Sequence, residues 1–484
     1  MKYVTAGYEP QDVLQYFEDL ARIPRGSGNC AAVAEYVYNW GKNLGLEAWK
    51  DEYHNVILKK PGTPGCEDLP PVMLQGHLDI VAVKLPESNH NFLTDPLPLY
   101  VKDGMLRSNG TTLGADNGNA CAYMMGVLAR KDLVHPPLEC VFTSDEEIGL
   151  VGAEKIPAEA FSAKRMINMD AGGEDQSATC VSCAGGIELV MTQVPVWQAA
   201  KGNFVKIFIH GLKGGHSAGA IDQGRGNAGK LMARLLNAVS LKTKTVVAKM
   251  YGGQKMNAIM SEMEAVISVE DLDVALAVIE KTAKDMKDEL RVTDAGFVCE
   301  FAPCDAPEKM LDDKQSKALI AFVLAMPNGV RDMSFEIEGH VLNSNNLGAV
   351  WVSDEEIRVW TFNRSGDDSR QDAMAEEIMS LADVFGYKVT QGAKFFGWKF
   401  NPESKMRELH TKLMKEVFDI DLKMEATHGG LETGVFFGKE PEMDIICFGP
   451  KGSGAHTPEE YLDLESFKEM FDYLCKFLAA LTKE

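Results

Sequence analysis

The chain has 484 residues, enough to bury more than one core, and two domains is the natural expectation. Its 49 basic and 71 acidic side chains give a formal charge of −22 (49 − 71), which repels phosphate backbones and anionic lipid and so excludes nucleic-acid and membrane-surface partners. With 45% hydrophobic and 25% charged residues the composition is globular, and no apolar run nears the roughly 18 residues of a membrane span.

The opening MKYVTAGYEPQDVLQYFEDL lacks the basic start and apolar centre of a signal peptide. Ten cysteines lie scattered from Cys30 to Cys475 in no framework spacing, which points to reduced thiols and a cytoplasmic chain. Val13, Phe17 and Leu20 fall at helical spacing, and Pro24 ends that helix. Asn29 is placed to cap a second helix through Val33, Val37 and Trp40. Four short apolar runs then read as buried strands: Val72–Leu74, Leu138–Thr143, Met166–Met169 and, far downstream, Asp444–Phe448. Each is followed at once by His, Asp, Glu or Gly residues, as expected where ligands gather outside the carboxyl ends of strands in an open α/β sheet.

The middle of the chain has a different rhythm. Strand patterns at Phe204–Ile209, Thr245–Met250, Ala265–Val269 and Phe297–Phe301 alternate with helices at Gly226–Val239 and Leu272–Leu290 in the order βαββαβ. A weaker echo follows, with helices near Ser316–Ala325 and Asp372–Phe385 around strands near Ile337, Val350 and Val359. Glu403–Val417 and Leu464–Leu481 read as helices returning to the first domain. The expected architecture is therefore α/β: a discontinuous catalytic domain of residues 1–188 and 401–484, a mixed sheet flanked by helices, with an inserted α+β lid at 189–400.

The chemistry sits at the strand exits. His77 and Asp79 stand two apart just past a strand, where the carboxylate can hold the second nitrogen of a metal-ligating imidazole, although an isolated H-x-D also occurs by chance. Asp116 enters a helix running to about Arg130 and could be a helix cap alone. The adjacent Glu146 and Glu147 repel one another unless a cation lies between them. Asp170 and His456 follow the next two strands, the latter in a glycine-rich loop. Two imidazoles and three carboxylates suit two borderline divalent ions, zinc most naturally. Such a pair can polarise a carbonyl and acidify a water while a further carboxylate moves protons.

Taken in order, the stretches Gln75–Val81, Thr111–Ala120, Thr143–Gly152, Asn168–Gly172, Gly214–Ala218, His428–Gly434 and Gly449–Pro458 resemble the co-catalytic zinc metallopeptidases that include carboxypeptidase G and aminoacylase, and within them the aminoacyl-histidine dipeptidases. The resemblance implies that Asp116 bridges two metals, with His77 and Asp170 completing one and Glu147 and His456 the other. It implies Glu146 as general base, Asp79 as the group orienting His77, and His216 as a lid donor to the scissile carbonyl oxygen. Arg364 and Asn257 would grip the substrate carboxylate, and Glu432 its free amino group. The implied activity is hydrolysis of small peptides, Xaa-His dipeptides among them, on two zinc ions, with cobalt or manganese as alternatives and a homodimer as the assembly. A deacylase or carboxypeptidase of the same family, and a non-catalytic metal-binding scaffold, are the competing readings. Among the other histidines, His54, His90, His135, His340 and His410 read as structural, as does the pair Cys180 and Cys183, and His428 stays open.

Overall fold

The structure is a computed structural model describing residues 2–171 and 173–483; Gly172, the end of one motif stretch, lies outside them. The chain divides into two compact units, one of residues 1–182, 398–426 and 431–484 and one of residues 183–397 and 427–430.

The first unit is built on a six-stranded sheet in the order Glu47–Lys50, Val56–Lys60, Leu138–Thr143, Val72–His77, Arg165–Asn168, Asp444–Cys447. The last four run parallel and the first two antiparallel to their neighbours, so the sheet is mixed. Strands Val72–His77 and Leu138–Thr143 are buried at every position, which explains their unbroken apolar runs. Phe142, Leu74, Val13, Phe17, Phe467 and Phe471 share one core that joins the sheet to helices Gln11–Ala21, Ala115–Ala129 and Leu464–Ala480. Parallel register sets His77 against Thr143, Gln75 against Asn168, and Asn168 against Cys447. The turns following these strands therefore leave the sheet at the same end.

A second, four-stranded sheet of this unit pairs Gly452–Ser453 with Tyr461–Asp463, and that strand with Met105–Ser108 and Leu99–Lys102. It anchors both ends of the loop carrying His456. The second helix spans Ala31–Asn43 with Cys30, not Asn29, at its N-cap and no side-chain cap bond. Asn29 turns away because its amide donates to the Pro24 carbonyl.

The second unit is organised by one nine-stranded sheet. Strands Asn203–His210, Thr245–Gly252, Met263–Val269 and Val298–Cys304 form a βαββαβ unit with helices Ala228–Ser240 and Leu272–Glu289, in spatial order 4-1-3-2. The weaker echo is a second unit of the same order, built from Gly185–Gln193, Val341–Val352, Ile357–Ser365 and Lys388–Phe395 with helices Asp313–Ala325 and Asp368–Val384. Its first strand precedes the whole of the first unit in sequence, which is why the echo looks incomplete when read along the chain. The two are zipped into one sheet where Tyr251 and Gly252 pair with Trp351 and Val350. Ile337, expected near a strand, sits instead in the turn between Gly329–Met333 and Val341–Val352, with its N–H bonded to the Ser334 hydroxyl.

Candidate metal centre

Three strand exits of the six-stranded sheet, the start of helix Ala115–Ala129 and the His456 loop converge. His77 ends its strand, 1% exposed, and its Nε2 lies 3.0 Å from Asp116 Oδ1, 3.8 Å from Asp170 Oδ1 and 3.9 Å from Glu146 Oε2. The other Asp116 oxygen, Oδ2, lies 3.2 Å from His456 Nε2, which is also 3.0 Å from Glu147 Oε1. Asp116 thus faces one imidazole with each oxygen. His77, Asp116 and Asp170 form one group able to hold a metal ion, and Asp116, Glu147 and His456 another; His77, Glu146 and Glu147 also come together.

The local backbone explains the convergence. Helix Ala115–Ala129 begins irregularly, with Asp116 and Asn117 outside helical torsions, so both side chains project from its first turn. Asn117 ties the groups together: its amide donates to Asp170 Oδ1 and to the Met169 carbonyl, both at 3.0 Å, while its oxygen accepts from His77 N–H. Asp79 is held by Ser27 Oγ and by the N–H groups of Glu146 and Glu147, so its carboxylate fixes the glutamate turn. For His77 Nδ1 the Asp79 backbone carbonyl is nearer, 3.0 Å, than its carboxylate, 3.5 Å. Asp79 therefore touches His77 mainly through its main chain. His456 and Asp145 both take left-handed backbone torsions, φ 65° and 52°, uncommon for residues other than glycine and found where a site overrides local preference.

Six carboxylates against two imidazoles leave this cluster electrostatically incomplete. Burial pushes the Glu146 carboxyl up to about 8, helped by Glu432, Glu147 and Asp116 and opposed by His77. Burial and the neighbouring Asp116 hold Asp170 well above the carboxylate range. The carboxylates around His77 outweigh its burial and hold it well above its ordinary value, and the neighbouring carboxylates of Asp116 and Glu147 bring His456 to about 10. Glu147 Oε1 is buried without a hydrogen-bond partner, although His456 Nε2 is 3.0 Å away. Close, misaligned donor atoms and protonated buried acids are what a ligand set looks like when its lone pairs aim at a common point, so the residues fit divalent cations.

Glu432 belongs to the same unit and lies beneath the cluster, 1% exposed. It accepts from Thr143 Oγ1 and Gln75 Nε2, and Gln75 in turn accepts from Asn168. Its Oε1 has no partner, and burial raises its carboxyl to about 7.

His216, Asn257 and Arg364 come together in the second unit. His216 caps the short helix Ser217–Ala220 by accepting from Ala218 N–H, and its Nε2 lies 3.3 Å from the Asn257 side-chain amide. Arg364 is 4% exposed; Ser217 Oγ at 3.3 Å and the His428 carbonyl at 3.4 Å are its hydrogen-bond acceptors, and neither is an anion. Burial lowers it to about 10. His428 is buried, with Nε2 2.7 Å from Ser344 Oγ. Cys180 and Cys183 lie on strand Ala178–Cys183, and no pair of the ten cysteines forms a disulfide.

Sequence reasoning missed Asn117, Ser27, Gln75, Arg25 and Glu460. Only Glu460, next to Glu459 and four residues past His456, carried a signal: a second acid in a loop that needed one cap at most.

Residues 73–480 match the model of the peptidase family M20/M25/M40. The chain is 32% identical over 473 residues to the cytosol non-specific dipeptidase of Escherichia coli (strain K12), covering 97% of each. It superimposes on an aminoacylhistidine dipeptidase from Vibrio alginolyticus with a TM-score of 0.92 at 30% identity, covering 99% of this chain and 98% of that one. The fold extends to aminopeptidase PepT from Bacillus cereus ATCC 10987, at a TM-score of 0.56 and 14% identity over 99% of this chain and 100% of that one.

Proposed function

Because the chain belongs to the peptidase family M20/M25/M40, we propose that it is a two-metal dipeptidase that cleaves dipeptides with a free amino terminus, Xaa-His among them. The observation that carries this reading is the disposition of Asp116, one oxygen toward His77 and the other toward His456. His77, Asp116 and Asp170 would hold one ion and Asp116, Glu147 and His456 the second, with zinc the natural choice for such mixed imidazole and carboxylate sets. Bound there, two divalent ions supply Lewis acidity to the peptide carbonyl and to the attacking water.

Glu146 is the proton carrier. It adjoins both ligand groups without belonging to either, which suits a carboxylate that accepts a proton from water and returns it to the departing amine. Asp79 keeps it in place through the two turn N–H groups. In the other unit, burial and the Arg364 charge lower the His216 imidazole below its ordinary value. With Nδ1 accepting from Ala218 N–H, its proton sits on Nε2, a donor suited to a developing oxyanion. Arg364, a buried cation without an anionic partner among the described residues, is suited to a substrate carboxylate, with Asn257 as its partner donor. Glu432 is assigned to the substrate amino group on its unpartnered Oε1.

The test is turnover of Xaa-His, Xaa-Gly and N-acetylated dipeptides by protein with counted metals. Cleavage of free dipeptides at two ions per chain, with discrimination against the acetylated forms that Glu432→Gln relaxes, is expected. Preference for blocked substrates would make the chain a deacylase and remove the role of Glu432.

A further inference from the structure

Among the described residues Arg25 is the bulkiest side chain sealed from solvent, and none of them gives it a carboxylate partner. Its Nη1 donates to the Leu78 carbonyl at 2.7 Å and its Nη2 to the Gly114 carbonyl at 2.8 Å. The strand exit carrying His77 and Asp79 is thereby tied to the loop that enters helix Ala115–Ala129. On the same loop, four consecutive N–H groups converge on one buried carboxylate. Glu460 Oε2 accepts from Leu113 and Gly114 at 2.7 and 2.9 Å, and Oε1 from Ala115 and Asp116 at 2.9 and 3.2 Å. Glu460 is 4% exposed.

Two buried ionisable groups therefore face each other through a peptide segment rather than directly. Four N–H groups fill the lone pairs of the Glu460 carboxyl group, although burial raises its affinity for protons. The Gly114 peptide is held from both ends, with its N–H on Glu460 and its C=O on Arg25. Glycine is required here: Gly114 has φ +71°, and a Cβ would lie 3.0 Å from Arg25 Nη2, while one on Gly118 would lie 2.6 Å from it.

The segment so clamped ends at Asp116, the one side chain that faces both histidines. We propose that Glu460 and Arg25 are positioning residues that set Asp116 for two-metal binding by clamping residues 113–116 between the Glu460 carboxyl group and the Arg25 guanidinium. This rests on the two-metal reading above. An isolated buried ion pair contributes little net stability, whereas groups that orient metal ligands typically govern affinity by about 10- to 100-fold. The clamp thus explains why two costly buried ionisable groups sit behind a loop that a neutral turn could have closed.

The test measures metal affinity by competition titration in the parent chain, in Glu460→Gln, in Asp116→Ala and in the double variant. In Glu460→Gln one amide group points its own N–H at two of the four donors. We expect zinc affinity at least tenfold weaker than the parent, and less than threefold further loss when Glu460→Gln is added to Asp116→Ala. Arg25→Lys keeps the charge but reaches only one carbonyl, and it serves if Glu460→Gln fails to fold; its expected loss is also at least tenfold. Parent-like affinity in either variant, or an equal loss in the Asp116→Ala background, overturns the clamp. A parent chain that binds no pair of divalent ions overturns instead the reading on which it rests.

Discussion

At the scale of single residues, environment assigns different work to chemically identical groups. Glu146 and Glu147 are neighbours, yet Glu147 points its buried Oε1 toward His456 while burial lifts the proton affinity of Glu146 to about 8. Replacing Glu146 with Gln keeps the shape and removes the proton carrier. Two metals should remain by elemental analysis, and kcat should fall on the order of 10²–10⁴-fold; near-parent turnover would mean another group carries the proton. Away from the site, burial holds His410 down to about 3, against Tyr473 and Phe448. Below its ordinary value of 6.5 the unfolded chain binds a proton that the folded one refuses, so this contribution is full above pH 6.5 and is lost as pH falls toward 3. The slope is about 1.4 kcal/mol per pH unit. His410→Gln should therefore flatten the fall in unfolding free energy between pH 6.5 and 5, measured by urea denaturation; an unchanged slope would mean the group titrates equally in both states.

At the scale of elements, the site depends on how closely a helix lies on a strand. Gly76, one residue before His77, has no room for a side chain: a methyl there runs into Asn117 Oδ1 and Ala120 Cβ. Gly76→Ala must push the start of helix Ala115–Ala129 away from the strand, carrying Asp116 with it. The expected outcome is about 1–3 kcal/mol of lost stability by denaturation, together with weaker metal binding. Such contacts are invisible in sequence. The strands themselves were legible, because runs such as Leu138–Thr143 are apolar throughout when buried on both faces. The first βαββαβ unit was legible because it is contiguous, while its partner was blurred because strand Gly185–Gln193 is separated from the rest of its unit by that same insertion. In the candidate site, His77, Asp116, Glu146, Glu147, Asp170 and His456 could be read because titratable groups stood alone beside apolar strands. Arg25 could not, since it acts on main-chain atoms and a backbone partner leaves no trace in composition, and Glu460 showed only as a second acid beside Glu459.

At the scale of the whole molecule, the net charge of −22 includes a local concentration of carboxylates that divalent cations would offset. Removing the ions with a chelator should lower Tm as well as abolish turnover, and saturation at 100 times Kd should restore about 2.7 kcal/mol. A Tm indifferent to chelator would mean the carboxylates tolerate one another without metal. The ten cysteines form no disulfide, and among the described residues no helix is long and apolar enough to cross a membrane.

The sixth strand of the first sheet, Asp444–Cys447, pairs in parallel with Arg165–Asn168, and everything between them in sequence is made first. At ribosomal speeds of about 5–20 residues per second, the backbone edge at residues 165–168 waits tens of seconds for its partner. During that interval His456 does not yet exist, so a nascent chain carries four of the five candidate ligands, and the group of Asp116, Glu147 and His456 is incomplete. The second ligand group is thereby completed only after the last strand of the sheet has been made.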